Sequence, residues 1–121
     1  MNNILYVFLG GGIGSVLRYL ISKVVTSNFT HINVKGTLIA NLLASLLLAF
    51  LIYFIHEKQA MEIGWKLFLV TGLCGGFSTF STFSYETYEL FKLGMPAYAL
   101  LNAVISISLG VFIMFVMSKI A

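Results

Sequence analysis

The sequence predicts an all-α integral membrane protein, four transmembrane helices with a broken third helix, in a single domain spanning 1–121. Three observations predict it. Apolar residues fill 60% of the 121 positions and charged residues only 9%, with a mean hydropathy of +1.00. Four apolar segments, 4–22, 36–55, 64–91 and 97–118, follow almost end to end, and a transmembrane helix needs about 20 such residues. The third holds Gly72-Leu73-Cys74-Gly75-Gly76-Phe77-Ser78-Thr79-Phe80-Ser81-Thr82-Phe83-Ser84, adjacent glycines followed by hydroxyls alternating with phenylalanines. Each glycine weakens a helix by about 1 kcal/mol relative to alanine. Backbone groups freed in hydrocarbon are tolerated only where protein or a water-filled cavity satisfies them. Gly75-Gly76 therefore predicts a helix break at membrane depth facing something polar, a recurring way for membrane helices to bind ions.

In the first segment Gly10, Gly14 and Arg18 recur at i, i+4, i+8 and share one helix face. Small-xxx-small spacing lets helices approach closely, so packing accounts for the glycines. The run Gly10-Gly11-Gly12-Ile13-Gly14 is no phosphate loop, because it lacks a Lys-Ser/Thr end and a preceding strand. Arg18 is costly in hydrocarbon, so it snorkels towards Lys23 or faces a polar vestibule. Its place on the glycine face favours the vestibule. Arg18, together with the lack of a basic leading region, also argues against a cleaved secretory signal.

The second segment repeats the pattern with Thr37, Asn41 and Ser45. An asparagine amide in lipid needs partners. One reading is an interhelical hydrogen bond, worth roughly 0.6–2 kcal/mol; the other is a pair of N–H donors offered to an anion or polar solute. The stretch from His56 to Ile63 reads as a solvated turn, and Trp65 with Lys66 marks a membrane interface. Past the break, Phe80 and Phe83 share a face. Their ring edges carry partial positive charge and can line an anion path. Glu86 and Glu89 are expected at a pore mouth or at headgroup level. Gly94 and Pro96 make the last turn, with Pro96 suited to a helix start. The fourth segment places Asn102, Ser106 and Gly110 along another polar or small stripe.

Several classes are excluded. Cys74 is the only cysteine, so no intrachain disulfide forms, and it reads as a small packing residue. His31 and His56 have no carboxylate or cysteine at ligand spacing. Scattered basic residues behind a net charge of +3 do not make a nucleic-acid surface. No Ser/His/Asp, Cys/His or paired-carboxylate arrangement supports an enzyme. With four spans, Lys58, Lys66 and Lys119 fall on one side and Lys23, Lys35 and Lys92 on the other. That balance removes the positive-inside signal. Either the signal is simply weak in so small a protein, or the chain inserts both ways and pairs as an antiparallel dimer. The polar inventory of Arg18, Asn41, Asn102 and hydroxyls favours donors over intramembrane acids, which points to an anion.

These residues resemble the Fluc/CrcB family of fluoride channels. Gly75–Phe83 is similar to the family's Gly-Gly-x-(Thr/Ser)-Thr-Phe-Ser-Thr-Phe signature. Gly10-Gly11-x-x-Gly14-Ser15-x-x-Arg18-Tyr19 resembles its first-helix motif, and Gly36-Thr37-Leu38-x-x-Asn41 its second. The resemblance covers essentially the whole chain. It implies a multi-pass cell-membrane protein, an antiparallel dual-topology homodimer with two fluoride pores. Phe80 and Phe83 would form an aromatic box, Asn41 a pore amide, Asn102 and Ser106 part of the ion path, and Arg18 a positive vestibule. It further implies a structural Na+, not transported, held by the backbone carbonyls of Gly75 and Ser78 from both copies. Ser78 stands where threonine is common, Ser15 where alanine is frequent, and Gly110 leaves the fourth-segment track without a third hydroxyl. Some family members pair two related chains; retention of the core motif favours a homodimer here. The rival is a four-helix exporter of the small multidrug-resistance type. Proton-coupled cation export needs a carboxylate in the middle of the first segment, which has none. A membrane scaffold subunit would explain the small-residue stripes but not a broken helix with paired phenylalanines.

Overall fold

The computed structural model describes residues 2–25, 34–58 and 61–120, so the expectation for His31 lies outside the described residues. All regular structure among them is helical, because in hydrocarbon a helix satisfies its own backbone groups. The first two spans are α1 (Asn2–Val25) and α2 (Val34–Lys58). At 1.5 Å per residue the 25 residues of α2 reach about 37 Å, more than a hydrocarbon core of about 30 Å. The third span is composite. A short α3 (Ile63–Lys66) runs into a π-helical segment, Leu67–Cys74, and then into one α turn, α4 (Gly75–Phe77). After the break come α5 (Phe80–Lys92) and the fourth span, α6 (Pro96–Ile120). Four helices are thus long and apolar enough to cross a membrane.

The break does not fall where the glycines predict it. Gly75 and Gly76 lie in helical backbone, Gly75 at φ −65°, ψ −39°. The chain leaves the helix two residues beyond Gly76, at Ser78 (φ −83°, ψ 157°) and Thr79 (φ −150°, ψ 116°). Side-chain hydroxyls that bond nearby backbone compete with the helix ladder. Here the Ser78 hydroxyl donates to the Cys74 carbonyl at 3.0 Å, and Thr79 Oγ1 accepts the Thr82 N–H at 3.2 Å, capping α5. The glycines serve proximity. A methyl at Gly76 would collide with the Gly11 carbonyl, and one at Gly10 with the Phe68 carbonyl. At Gly72 it would meet Gly10 Cα at 2.9 Å. So α1 and the π-segment lie backbone against backbone, the close approach that small-residue stripes permit.

The turn into α6 closes α5. Met95 N–H donates to the Leu90 carbonyl at 2.9 Å and Gly94 N–H to the Phe91 carbonyl at 3.1 Å. Gly94 takes φ +75°, the left-handed residue this motif needs. Pro96, whose missing N–H costs nothing in a first helical turn, then opens α6. Among the described residues the buried apolar cluster is small: Ala40, Ala44 and Phe77, with Ile21 packed against them. In α6 only Ala99 and Asn102 are buried. A chain solvated by lipid has no need to hide the rest.

Candidate functional site

The break is held by Asn41. Its Oδ1 accepts the Thr79 N–H at 2.8 Å, and its Nδ2 donates to the Thr79 carbonyl at 3.3 Å. One side-chain amide thereby stands in for both helical partners of that peptide position. The pairing also fixes which way the amide points, and among the described residues it leaves the second Nδ2 hydrogen as an unspent donor. Asn41 therefore satisfies the interhelical reading of the sequence without using up its capacity for the other.

Beside this clamp lies a cleft of about 260 Å³, lined by Asn41, Ser45, Thr79, Phe80, Phe83 and Ser106, with Ser78 and Ile107. Three spans contribute to it. Phe80 and Phe83 sit one turn apart on α5, ring centroids 6.1 Å apart and planes tilted by 38°. Phe80 is 80% exposed on this single chain. Ser106 faces the cleft and donates to Asn102 Oδ1 at a long 3.5 Å. Asn102 itself is buried and does not line the cleft. None of the lining side chains is ionisable.

Arg18 is not brought to the cleft. It lines a second cavity of about 250 Å³ with Ser15, Thr37, Thr79 and Thr82. Its Nε is buried there without a hydrogen-bond partner among the described residues. Gly75 and Ser78 meet at a third cavity of about 170 Å³, beside Ala44, Ser45 and Cys74.

Whether these last two residues suit a hard cation can be tested on the backbone. In an unbroken helix the Gly75 carbonyl would accept from the Thr79 N–H and the Ser78 carbonyl from the Thr82 N–H. Both donors are diverted, the first to Asn41 and the second to Thr79 Oγ1. The break releases the neighbouring carbonyls of Gly76 and Phe77 from the ladder as well. Gly75 also faces open space, since a methyl there would meet nothing within 4 Å. Neutral oxygen donors with no ladder partner suit a hard cation. Among the described residues no cluster of three or more His, Cys, Asp or Glu offers an alternative metal site.

Glu86 is 1% exposed and packs inside the chain, the largest fully buried side chain among the described residues. The signal was available: Thr79, Phe83, Glu86 and Leu90 recur at i, i+4, i+7, i+11, which puts Glu86 on the inward face of α5. Glu89 lies 3.7 Å from Lys92, whose ammonium also lies 5.6 Å from the Tyr88 ring centroid. Thr79, a position of the third-segment motif to which the sequence reading gave no role, proves the most heavily bonded residue of the break.

Comparison with known proteins agrees with this architecture. Residues 5–117 match the family model described as CrcB-like protein, Camphor Resistance (CrcB). A relative from Proteus mirabilis (strain HI4320), named Fluoride-specific ion channel FluC, is 45% identical over 100 residues, 83% of this chain and 80% of that protein. Relatives of the same name from Shewanella pealeana and Serratia proteamaculans are 38% identical over 115 residues and 37% over 108. These cover 95% and 89% of this chain, and 92% and 84% of theirs. With four apolar spans, a clamped helix break and a family match over nearly its full length, the chain belongs to the CrcB family.

Proposed function

We propose that this protein is a fluoride-specific channel of the cell membrane, through which fluoride leaves the cell passively and its toxicity is lowered. The observation that supports this most is the cleft: an amide donor, hydroxyls and two phenylalanine rings, with no ionised side chain. Fluoride holds its water strongly, so a pathway must offer donors in exchange. Conduction also requires that binding stay weak enough for release. A lysine or arginine in the cleft would trap the ion; neutral donors and positive ring edges stabilise it less. Asn41, Phe80, Phe83 and Ser106 are the residues on which this pathway rests, with Asn102 behind Ser106 and Arg18 attracting anions from its own cavity.

Two copies in antiparallel orientation complete the assembly in this reading. The balanced lysines, the exposed Phe80 and the sparsely buried α6 support a second copy. The carbonyls of Gly75 and Ser78 from both copies would hold a Na+ that fixes the break and is not transported.

The test is purified protein in liposomes loaded with fluoride or chloride, with ion-selective electrodes outside. Fluoride is expected to escape rapidly and chloride hardly at all; equal rates for the two ions would overturn the assignment. Replacing Na+ by a bulky organic cation on both sides is expected to slow fluoride release. Unchanged release would remove the sodium site from the proposal.

A further inference from the structure

Among the described residues Thr79 is the one common to the linings of the Arg18 cavity and the Phe80/Phe83 cleft. It is 8% exposed, and every polar group it owns is engaged or positioned. Its N–H and carbonyl are clamped by Asn41, so its main chain cannot swing aside without breaking both bonds. Its hydroxyl oxygen is held by the Thr82 N–H at 3.2 Å. An N–H can only donate, so at that contact the hydroxyl must accept, and its own hydrogen is left to give away. Ser81 Oγ lies 3.4 Å from the Thr79 hydroxyl oxygen, a long contact for two hydroxyls.

From this geometry we propose that Thr79 is the partition between the two cavities and the specificity-determining donor for passage between them. An anion moving from Arg18 to the phenylalanine rings passes the Thr79 side chain. There the hydroxyl hydrogen turns from Ser81 to the ion and back, while the oxygen stays anchored on Thr82. The methyl group occupies the remaining width. A small, strong acceptor such as fluoride can take the hydrogen bond and squeeze past. A larger, weaker acceptor such as chloride gains less and meets the methyl. Clamp, cap and partition are thus combined in one residue. This inference rests on the fluoride-channel reading and adds to it a place where the two ions are told apart.

Three substitutions separate this role from simple helix capping. Thr79→Val keeps the shape but removes the hydroxyl; fluoride release is expected to fall about tenfold or more, the scale of a lost hydrogen bond to a charged group. Thr79→Ser restores the hydroxyl and is expected to recover most of that flux. Thr79→Gly is tolerated at an N-cap at little cost, yet it removes donor and methyl together. It is expected to lower the fluoride-to-chloride ratio by about tenfold, on the same scale.

Capping alone would alter stability in the order Val worst, Gly mild, and would leave the ion ratio untouched. The liposome assay therefore reads both ions for each variant that elutes as a folded species. An unchanged ratio in Thr79→Gly overturns the partition, and that variant keeps the test decisive if Thr79→Val fails to fold. Failure of the channel reading itself is distinguishable, because the unsubstituted protein would then release no fluoride or release chloride at the same rate.

Discussion

Asn41 shows what one side chain can do when its partner is a peptide and not another side chain. With Thr79 it makes both a donor and an acceptor bond, at 3.3 and 2.8 Å. Asn41→Asp keeps an acceptor for the Thr79 N–H but turns a second oxygen towards the Thr79 carbonyl, and it places negative charge beside the proposed anion path. A buried group left unsatisfied costs about 1–3 kcal/mol. Asn41→Asp is expected to lower the melting temperature in detergent and to depress fluoride flux without preventing assembly of the proposed dimer. Phe80→Ile removes a ring and leaves the clamp alone, so it is expected to depress flux with the melting temperature little changed. If flux through both variants matched the parent in the liposome assay, the cleft would not be the pathway.

Between elements, the decisive contact is α1 against the third span. The π-segment, a wider turn than the α-helix, meets a face of α1 from which side chains are missing at Gly10, Gly11 and Gly14. Adding a methyl at Gly14 would drive it into the Leu73 carbonyl and within 2.7 Å of the Phe77 nitrogen, atoms that cannot rotate away. Overpacking of this kind costs about 1–3 kcal/mol. Gly14→Ala is therefore expected to lower the melting temperature. Gly12→Ala, with nothing within 4 Å of the new methyl, is expected to leave it unchanged or raise it slightly. Thermal unfolding followed by fluorescence compares the two. Equal behaviour would mean that the helices can separate at no cost. The stripe was legible as packing, because its period is a property of one helix. Its partner was not: nothing local in Gly10 or Gly14 names Phe68 or Leu73.

For the whole molecule the question is orientation in the bilayer. Lysines balanced three against three give no positive-inside signal, and the proposed antiparallel pair requires each chain to insert either way. Leu93, 61% exposed in the turn before α6, is a convenient reporter. With Cys74→Ser to remove the buried thiol, Leu93→Cys is expected to react with a membrane-impermeant maleimide from both faces of the membrane to equal extents. Labelling from one face alone would rule out dual topology and the antiparallel dimer with it.

By itself the sequence determined the four spans, the polar stripe on each and the presence of a break in the third, because each follows from the local demand that hydrocarbon makes on backbone and side chains. Only the tertiary structure decided where the break falls. Judged locally, Gly75-Gly76 is the weakest point of the helix. In the folded chain those glycines stay helical, and the ladder opens at Ser78 and Thr79. Asn41, 38 residues away, supplies there the bonds that an open backbone in lipid must have. A helix in a membrane breaks where its freed peptide groups find partners, and those partners belong to another helix.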